Sequence, residues 1–285
     1  MASVTRTTSV TVVGSINSDV VASCQRFPEP GETVSAATVS YGQGGKGANQ
    51  ARAAARAGAS TTFIGAVGDD PAAERVLSSL SDVRLRVTTV PGPTGTAVIT
   101  VDGRGENTIV VIPGANAALS LADDDRRAIA DADVLLLQLE VPIPVVLDAA
   151  RTARHAGTTV MLNPSPVRDL PAELWSMVDV AVVNQSEADE LASLRIQVPT
   201  IVTTLGADGA RIRGPFGDVR VDGLGVDVVD TTGAGDAFTG ALAASWLLPP
   251  AGRLARANAA GALATTVAGA ASAPTADEID ALLAP

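Results

Sequence analysis

The sequence predicts an α/β fold built on a mostly parallel sheet, and three observations point there. Short apolar runs without strict alternation recur along the chain, helical stretches separate several of them, and polar turns follow the runs where a parallel sheet collects its binding groups. A length of 285 residues suits one large domain, expected to span residues 1–285.

The elements follow in order. Val10–Val13, closed by Gly14, is expected to be a buried first strand. Gly31–Tyr41 alternates weakly, as an exposed strand or two would, and the Ala-rich stretch Ala48–Ala57 is a helix stopped by Gly58. Thr61–Val67 is a second buried strand. Further strands are expected at Ala97–Val101, Ile109–Ile112, Val134–Leu139, Thr159–Leu162, Val180–Val183, Ile201–Leu205 and, from its valines, Val226–Val229. Helices are expected at Asp123–Asp131, Pro144–His155, Ser186–Ser193, Gly235–Leu247 and Gly252–Val267, and Pro91–Gly95 is a turn.

Composition narrows the function. The chain is 46% hydrophobic but only 2% aromatic, so a lean interior of Ala and Val is expected. A net charge of −11, with 20 Lys and Arg against 31 Asp and Glu, argues against nucleic acid as a partner, which needs clustered cations. Anionic ATP stays admissible, because backbone amides and a divalent metal can supply the local positive field. One cysteine, Cys24, allows no internal disulfide and no zinc cluster, so a reducing cytoplasm is the expected compartment. Met1–Arg6 has no leader pattern and Asn258–Pro274 is too weakly apolar to span a bilayer; no membrane role is expected.

Asp230-Thr-Thr-Gly-Ala-Gly-Asp236 carries the most chemistry. A strand, a glycine turn and a helix start would aim the N–H groups of Gly233, Ala234 and Gly235 at a phosphate. Asp236 at that edge is either a helix cap or a base that takes a proton from a nucleophile lined up with the phosphate. Gly42–Gln50 contains GxGxxG, but its preceding strand is weak and no acid follows at the spacing of a dinucleotide site; nor is it a Walker loop, since Gly47 follows Lys46. It is either a plain helix-start turn or a loop bringing Gly45, Lys46 and Asn49 close to a polar ligand. Asn17 and Asp19 form an Asx-type turn or bond neighbouring hydroxyls of a sugar, and Glu140 ends its strand in the same position. Asn184 and Glu187 make a capping box, with water around magnesium as the functional alternative, and Thr204–Gly209 is a turn able to line a nucleotide pocket. His155 alone supports no hydrolase triad.

These segments together resemble the ribokinase-like family of carbohydrate kinases. The resemblance runs nearly end to end: GSINSD from Gly14, FPEPGETV from Phe27, GGKGANQA from Gly44, GAVGDD from Gly65, GANAALS from Gly114, QLE from Gln138, LNPSP from Leu162, NQSE from Asn184, TLGADG from Thr204 and DTTGAGDAF from Asp230. It implies a three-layer sandwich with a small β-sheet lid inserted at about 20–41 and 94–111, and a homodimer made through that lid. It implies phosphorylation of D-ribose at its 5-hydroxyl by ATP, with Asp236 as base and an anion hole at Gly233–Asp236. Asn17, Asp19, Gly45, Lys46, Asn49, Glu140 and Asp236 would hold the sugar; Asn184, Glu187, Thr204, Gly206, Gly209, Gly235 and Asn258 would face ATP and Mg2+. Asp230, Thr232, Ala264, Val267, Gly269 and Ala273 would bind a monovalent cation, K+.

One departure stands out. Only 19 residues separate Asn184 from Thr204, so Leu191–Pro199 must cross directly to the next strand where the family carries a further helix. The alternatives are a kinase for deoxyribose, fructose, adenosine or a sugar acid, and a sugar-binding regulator without catalysis. The regulator sits poorly with an intact Asp236 beside its glycines.

Overall fold

The computed structural model describes residues 6–194 and 196–284. The N-terminal stretch Met1–Arg6, read for a leader above, falls largely on residues 1–5, outside the described residues, as does Arg195 within the 191–199 crossing.

In chain order the strands are β1 (Ser9–Val13), β2 (Asn17–Ser23), β3 (Thr38–Gly44), β4 (Ser60–Gly68), β5 (Arg84–Val90), β6 (Gly95–Val101), β7 (Asn107–Ile112), β8 (Val134–Leu137), β9 (Thr159–Leu162), β10 (Val180–Asn184), β11 (Thr200–Thr204), β12 (Ala210–Gly214) and β13 (Gly217–Val221). The helices are α1 (Lys46–Arg56), α2 (Pro71–Ser78), α3 (Asp123–Ala130), α4 (Ile143–Ala156), α5 (Ala172–Met177), α6 (Gln185–Ser193), α7 (Ala234–Ala244), α8 (Pro250–Ala264) and α9 (Ala276–Leu283).

Nine strands form the main sheet in the order β13-β12-β11-β10-β9-β8-β1-β4-β5, parallel up to β11 and antiparallel in the terminal β12–β13 hairpin. Successive strand residues point to opposite faces, and both faces are covered. Val12 and Leu136 enter one core with Phe63, Phe238 and Leu254; Val13, Leu135 and Leu137 enter the other with Val146, Ala149 and Leu174. This is why the runs look continuously apolar rather than alternating.

The order places β1 between β4 and β8, so the chain leaves β1 first toward one edge and later toward the other. The loops after β1 and β8 therefore diverge at their carboxyl ends, and a crevice opens there. Four further strands form the sheet β3-β2-β6-β7, which springs from the end of β1 and returns directly into α1.

Val226–Val229 is corrected from strand to irregular chain: residues 222–229 carry no ladder. The sheet edge is already closed by β13, so the run has no partner, and Val226 and Val228 line a cavity instead. Leu139 likewise lies beyond the end of β8. Strands β5, β12 and β13 and helices α2, α5 and α9 were not anticipated. β5 is an exposed edge strand of Arg and Thr, whereas β12–β13 shows plain alternation of Arg with Ala, Ile and Val. Among the described residues helix α6 is followed by β11 with no additional helix, as the short spacing required.

Candidate active site

The site lies at the carboxyl ends of the central strands. Asn17 opens β2, and its Oδ1 accepts the Asn116 amide at 2.8 Å, while Asn116 Oδ1 accepts the Ile16 N–H at 3.0 Å. Asp19 sits two residues on, on the same face, only 7% exposed, with Oδ1 lacking any partner. Burial first, and the nearby Glu140 second, push its carboxyl up to about 7. Glu140 is anchored through Oε2, which accepts from Ser15 Oγ and from the Lys46 N–H, the latter at 2.9 Å. It thus caps the first turn of α1, whose preceding residue Gly45 adopts φ +86°. From that helix Asn49 reaches forward: Oδ1 accepts Gln43 Nε2 at 2.8 Å and Nδ2 donates to Asp236 Oδ2 at 3.2 Å.

Asp236 stands in the first turn of α7. Gly233, with φ +77°, caps that helix, and a Cβ there would lie 2.2 Å from the Ala270 carbonyl oxygen, so only glycine fits. The Ala234 N–H turns back to the Thr231 carbonyl at 3.3 Å, and the helical ladder begins with Ala237 N–H on Gly233 at 2.9 Å. The N–H groups of Gly235 and Asp236 therefore precede the ladder, as helix-start donors do. They open into a cleft of about 160 Å³ lined also by Lys46, Asn163, Asn184, Glu187 and Thr204.

Thr204 and Gly235 also line an adjoining, larger cavity of about 540 Å³, with Gly206, Gly209, Leu224, Val226, Phe238 and Asn258. Its wall is largely apolar, and Asn258 spends its Nδ2 on the Asp222 carbonyl at 3.0 Å. A polar cradle, a narrow anion cleft and an apolar chamber thus meet around Asp236. That arrangement can line up a hydroxyl with the terminal phosphate of a nucleotide and remove its proton. A cavity of about 330 Å³ lined by Arg84, Arg86 and Arg127 lies at the amino ends of β1, β4 and β5, remote from this chemistry.

Asn184 and Glu187 form the expected capping box, with Asn184 Oδ1 accepting the Glu187 N–H at 2.9 Å and Glu187 Oε2 accepting the Asn184 N–H at 2.8 Å. Both still line the cleft. Asp230 ties two loops together: Oδ1 accepts the Thr232 N–H and Oδ2 the Gly269 N–H, each at 2.9 Å. Burial pushes its carboxyl up, but these hydrogen bonds outweigh burial and hold it below its ordinary range. Of the other expected cation ligands, the Ala264 carbonyl accepts Ser272 Oγ at 3.0 Å, the Ala273 carbonyl accepts Arg56 Nε, and Val267 is exposed. Among the described residues no three His, Cys, Asp or Glu side chains gather as a metal cage.

Several site residues were quoted within motifs without a role: Ser15, Gln43, Gln50, Asn116, Gln138 and Asn163. Each is an uncharged polar residue beside a named one, buried or lining the cleft. Their signal was the polarity of positions inside otherwise apolar or glycine-rich stretches.

A mostly parallel sheet carrying a small second sheet at its carboxyl ends, with a carboxylate at a helix start between a buried polar cradle and a larger apolar cavity, is the arrangement of a small-molecule kinase. The chain belongs to the pfkB family of carbohydrate kinases, whose model matches residues 7–276. It is 37% identical over 259 residues to the ribokinase of Staphylococcus aureus, covering 82% of this chain and 85% of that one. It is 38% identical over 260 residues to a bifunctional ribokinase/ribose-5-phosphate isomerase A of Fructilactobacillus sanfranciscensis, of which it spans 48% while 82% of this chain is covered. A deoxyribokinase of Salmonella typhi is 33% identical over 257 residues, with 82% and 84% of the chains covered. The structure of Arabidopsis thaliana ribokinase complexed with ribose and ATP superposes with a TM-score of 0.90 at 31% identity, over 98% of this chain and 99% of that one. Among the described residues no helix is long and apolar enough to cross a membrane.

Proposed function

We propose that this kinase transfers the γ-phosphoryl group of ATP to the 5-hydroxyl of D-ribose, giving ribose 5-phosphate and ADP, in the cytoplasm. The observation that carries the proposal is Asp236, which touches the sugar cradle through Asn49 at 3.2 Å and also lines the phosphate cleft. It accepts the hydroxyl proton, while the N–H groups of Gly235 and Asp236 and the Lys46 ammonium meet the charge that develops on the transferred group. Asn17, Asp19, Gly45, Asn49 and Glu140 hold the sugar, Asp19 through an oxygen that has no other partner. The phosphates rest near Asn184 and Thr204, and the base enters the apolar chamber beside Gly206, Gly209 and Asn258. Glu187, which lines the cleft, would order water around a Mg2+ carried on the nucleotide, and that ion would supply neutralisation of phosphate charge. The four-stranded sheet serves as the lid over the sugar.

Asp236→Asn tests the assignment. A carboxamide keeps the shape but cannot take a proton, so sugar binding stays and kcat falls about 10²-fold or more. Wild-type kcat in that variant would exclude Asp236 as the base. The similarity to a deoxyribokinase supports 2-deoxyribose as the second reading, and kcat/KM for ribose, 2-deoxyribose, fructose and adenosine separates the two.

A further inference from the structure

Each carboxylate oxygen of Asp236 receives one amide donor: Asn49 Nδ2 at 3.2 Å on Oδ2, and Gln50 Nε2 at 2.8 Å on Oδ1. Asn49 belongs to the sugar cradle. Gln50, the next residue of α1, is fully buried and does not line the phosphate cleft. Its second Nε2 hydrogen goes to Asn163 Oδ1 at 3.1 Å, and its Oε1 accepts Gln138 Nε2 at 2.6 Å. Asn163 is itself pinned by donating Nδ2 to the Val182 carbonyl at 3.0 Å.

A carboxylate only accepts, so Gln50 must turn its NH2 toward Asp236. That choice sends its Oε1 to Gln138, which must in turn present its own NH2. Reversing Gln50 would set Oε1 against two acceptor oxygens and Nε2 against another amide nitrogen, so the chain of amides has one favourable direction. Reach is set by Gly240, one turn beyond Asp236, where a Cβ would lie 2.5 Å from the Gln50 carbonyl oxygen and force α1 off α7. Gln138 is fully buried, and its Oε1 has no partner. A side chain kept only to fill space would not leave such a group unsatisfied, because that is costly; its useful end is the one on Gln50.

We infer that Gln50 is a positioning residue of phosphoryl transfer, locking the Asp236 carboxylate so that its free lone pairs face the cleft, and that Gln138 locks Gln50. The inference rests on Asp236 being the base.

The test compares Gln50→Met, Gln138→Met, their double variant and Asp236→Asn, with sugar and ATP varied independently and sugar binding and thermal unfolding measured on each. Gln50→Met is expected to lower kcat by about 10- to 100-fold with both KM values within about threefold, the mark of lost aim rather than lost binding. Gln138→Met is expected to lower kcat by about 3- to 10-fold, and the double variant to be no worse than Gln50→Met, because Gln138 acts through Gln50. Should Gln50→Met not fold, Gln138→Met and Gln138→Glu, which also removes the donor, carry the test by the same loss of kcat. Wild-type kcat in the folded Gln50 or Gln138 variants, or losses that multiply in the double variant, would overturn the inference. Wild-type kcat in Asp236→Asn would instead remove the base itself.

Discussion

Asp19 shows what a single buried carboxyl does in a site built for a hydroxylated ligand. Burial, then Glu140, raise it to about 7 from an ordinary 3.8. Because the folded value exceeds the unfolded one, the stability it contributes is fully present below about pH 4 and is lost as pH rises through about 7. Three units correspond to roughly 4 kcal/mol at most. Between pH 5 and 8 the ligand-free wild type is therefore expected to lose stability relative to Asp19→Asn, measured as the difference between their unfolding free energies. Asp70, Asp102, Asp133 and Asp230, whose carboxyls lie below the ordinary range, act in the opposite sense but are common to both proteins. A difference that stays flat with pH would show that Asp19 remains charged. At this scale the sequence was legible wherever a charge or a glycine run marked the place, as with Asp236, Lys46 and Glu140. Gln50 was not, although it closes the same GGKGANQ stretch, because its meaning lies in contact with a residue 186 positions away. No spacing rule reports the direction in which a buried amide faces.

Among the elements, the helix starts were legible and the edges were not. Asn184 with Glu187 announces α6 by side-chain chemistry alone, whereas the valines at 226–229 announce a strand that has no neighbour to pair with. Pairing is decided by the whole sheet, and local composition cannot see it. The turn from Asp230 to Gly233 also draws its meaning from a distant element, since Asp230 bonds Gly269 and Gly233 presses on Ala270. We propose that K+ sits between these loops on Asp230, the Thr232 carbonyl and carbonyls of 264–273, and stiffens the turn whose N–H groups face the phosphate. Replacing K+ by tetramethylammonium at constant ionic strength should then lower wild-type kcat by about 10²-fold, as for a lost oxyanion donor, and change Asp230→Ala little. A wild type indifferent to the exchange would dismiss the cation.

For the whole molecule, the small sheet presents two unlike faces. Its register puts Asn17, Asp19, Ala97 and Val111 on one face, the one that carries the polar cradle, and Val20, Tyr41, Val98 and Val110 on the other. On that outer face Tyr41 is 62% and Val110 64% exposed, an apolar surface whose Tyr41 ring is flanked by the Arg75 guanidinium at 5.5 Å. We propose that a second copy covers it, making a homodimer through the lid. Val110→Lys should shift sedimentation from dimer to monomer and reduce kcat/KM for the sugar. A wild type that sediments as a monomer at micromolar concentration would refute the proposal. The sheet itself was legible in outline, but of Gly31–Tyr41, expected to be an exposed strand or two, only residues 38–41 are strand, and 31–37 belong to an irregular loop between β2 and β3.

On the function proposed above, the placement of that lid also fixes the traffic of substrates. It stands on the sugar side alone: Asn17 and Asp19 lie on its strands, while the larger chamber is walled by residues from Thr204 to Thr265, none of them from the lid. Nucleotide can thus come and go while the sugar is enclosed, but the sugar cannot pass while the lid is down. The expected order is sugar first on and phosphorylated sugar last off, with ADP leaving between. Ribose 5-phosphate should accordingly inhibit competitively against ribose and non-competitively against ATP, and the opening of the lid, rather than the transfer of phosphate, becomes the step that paces release.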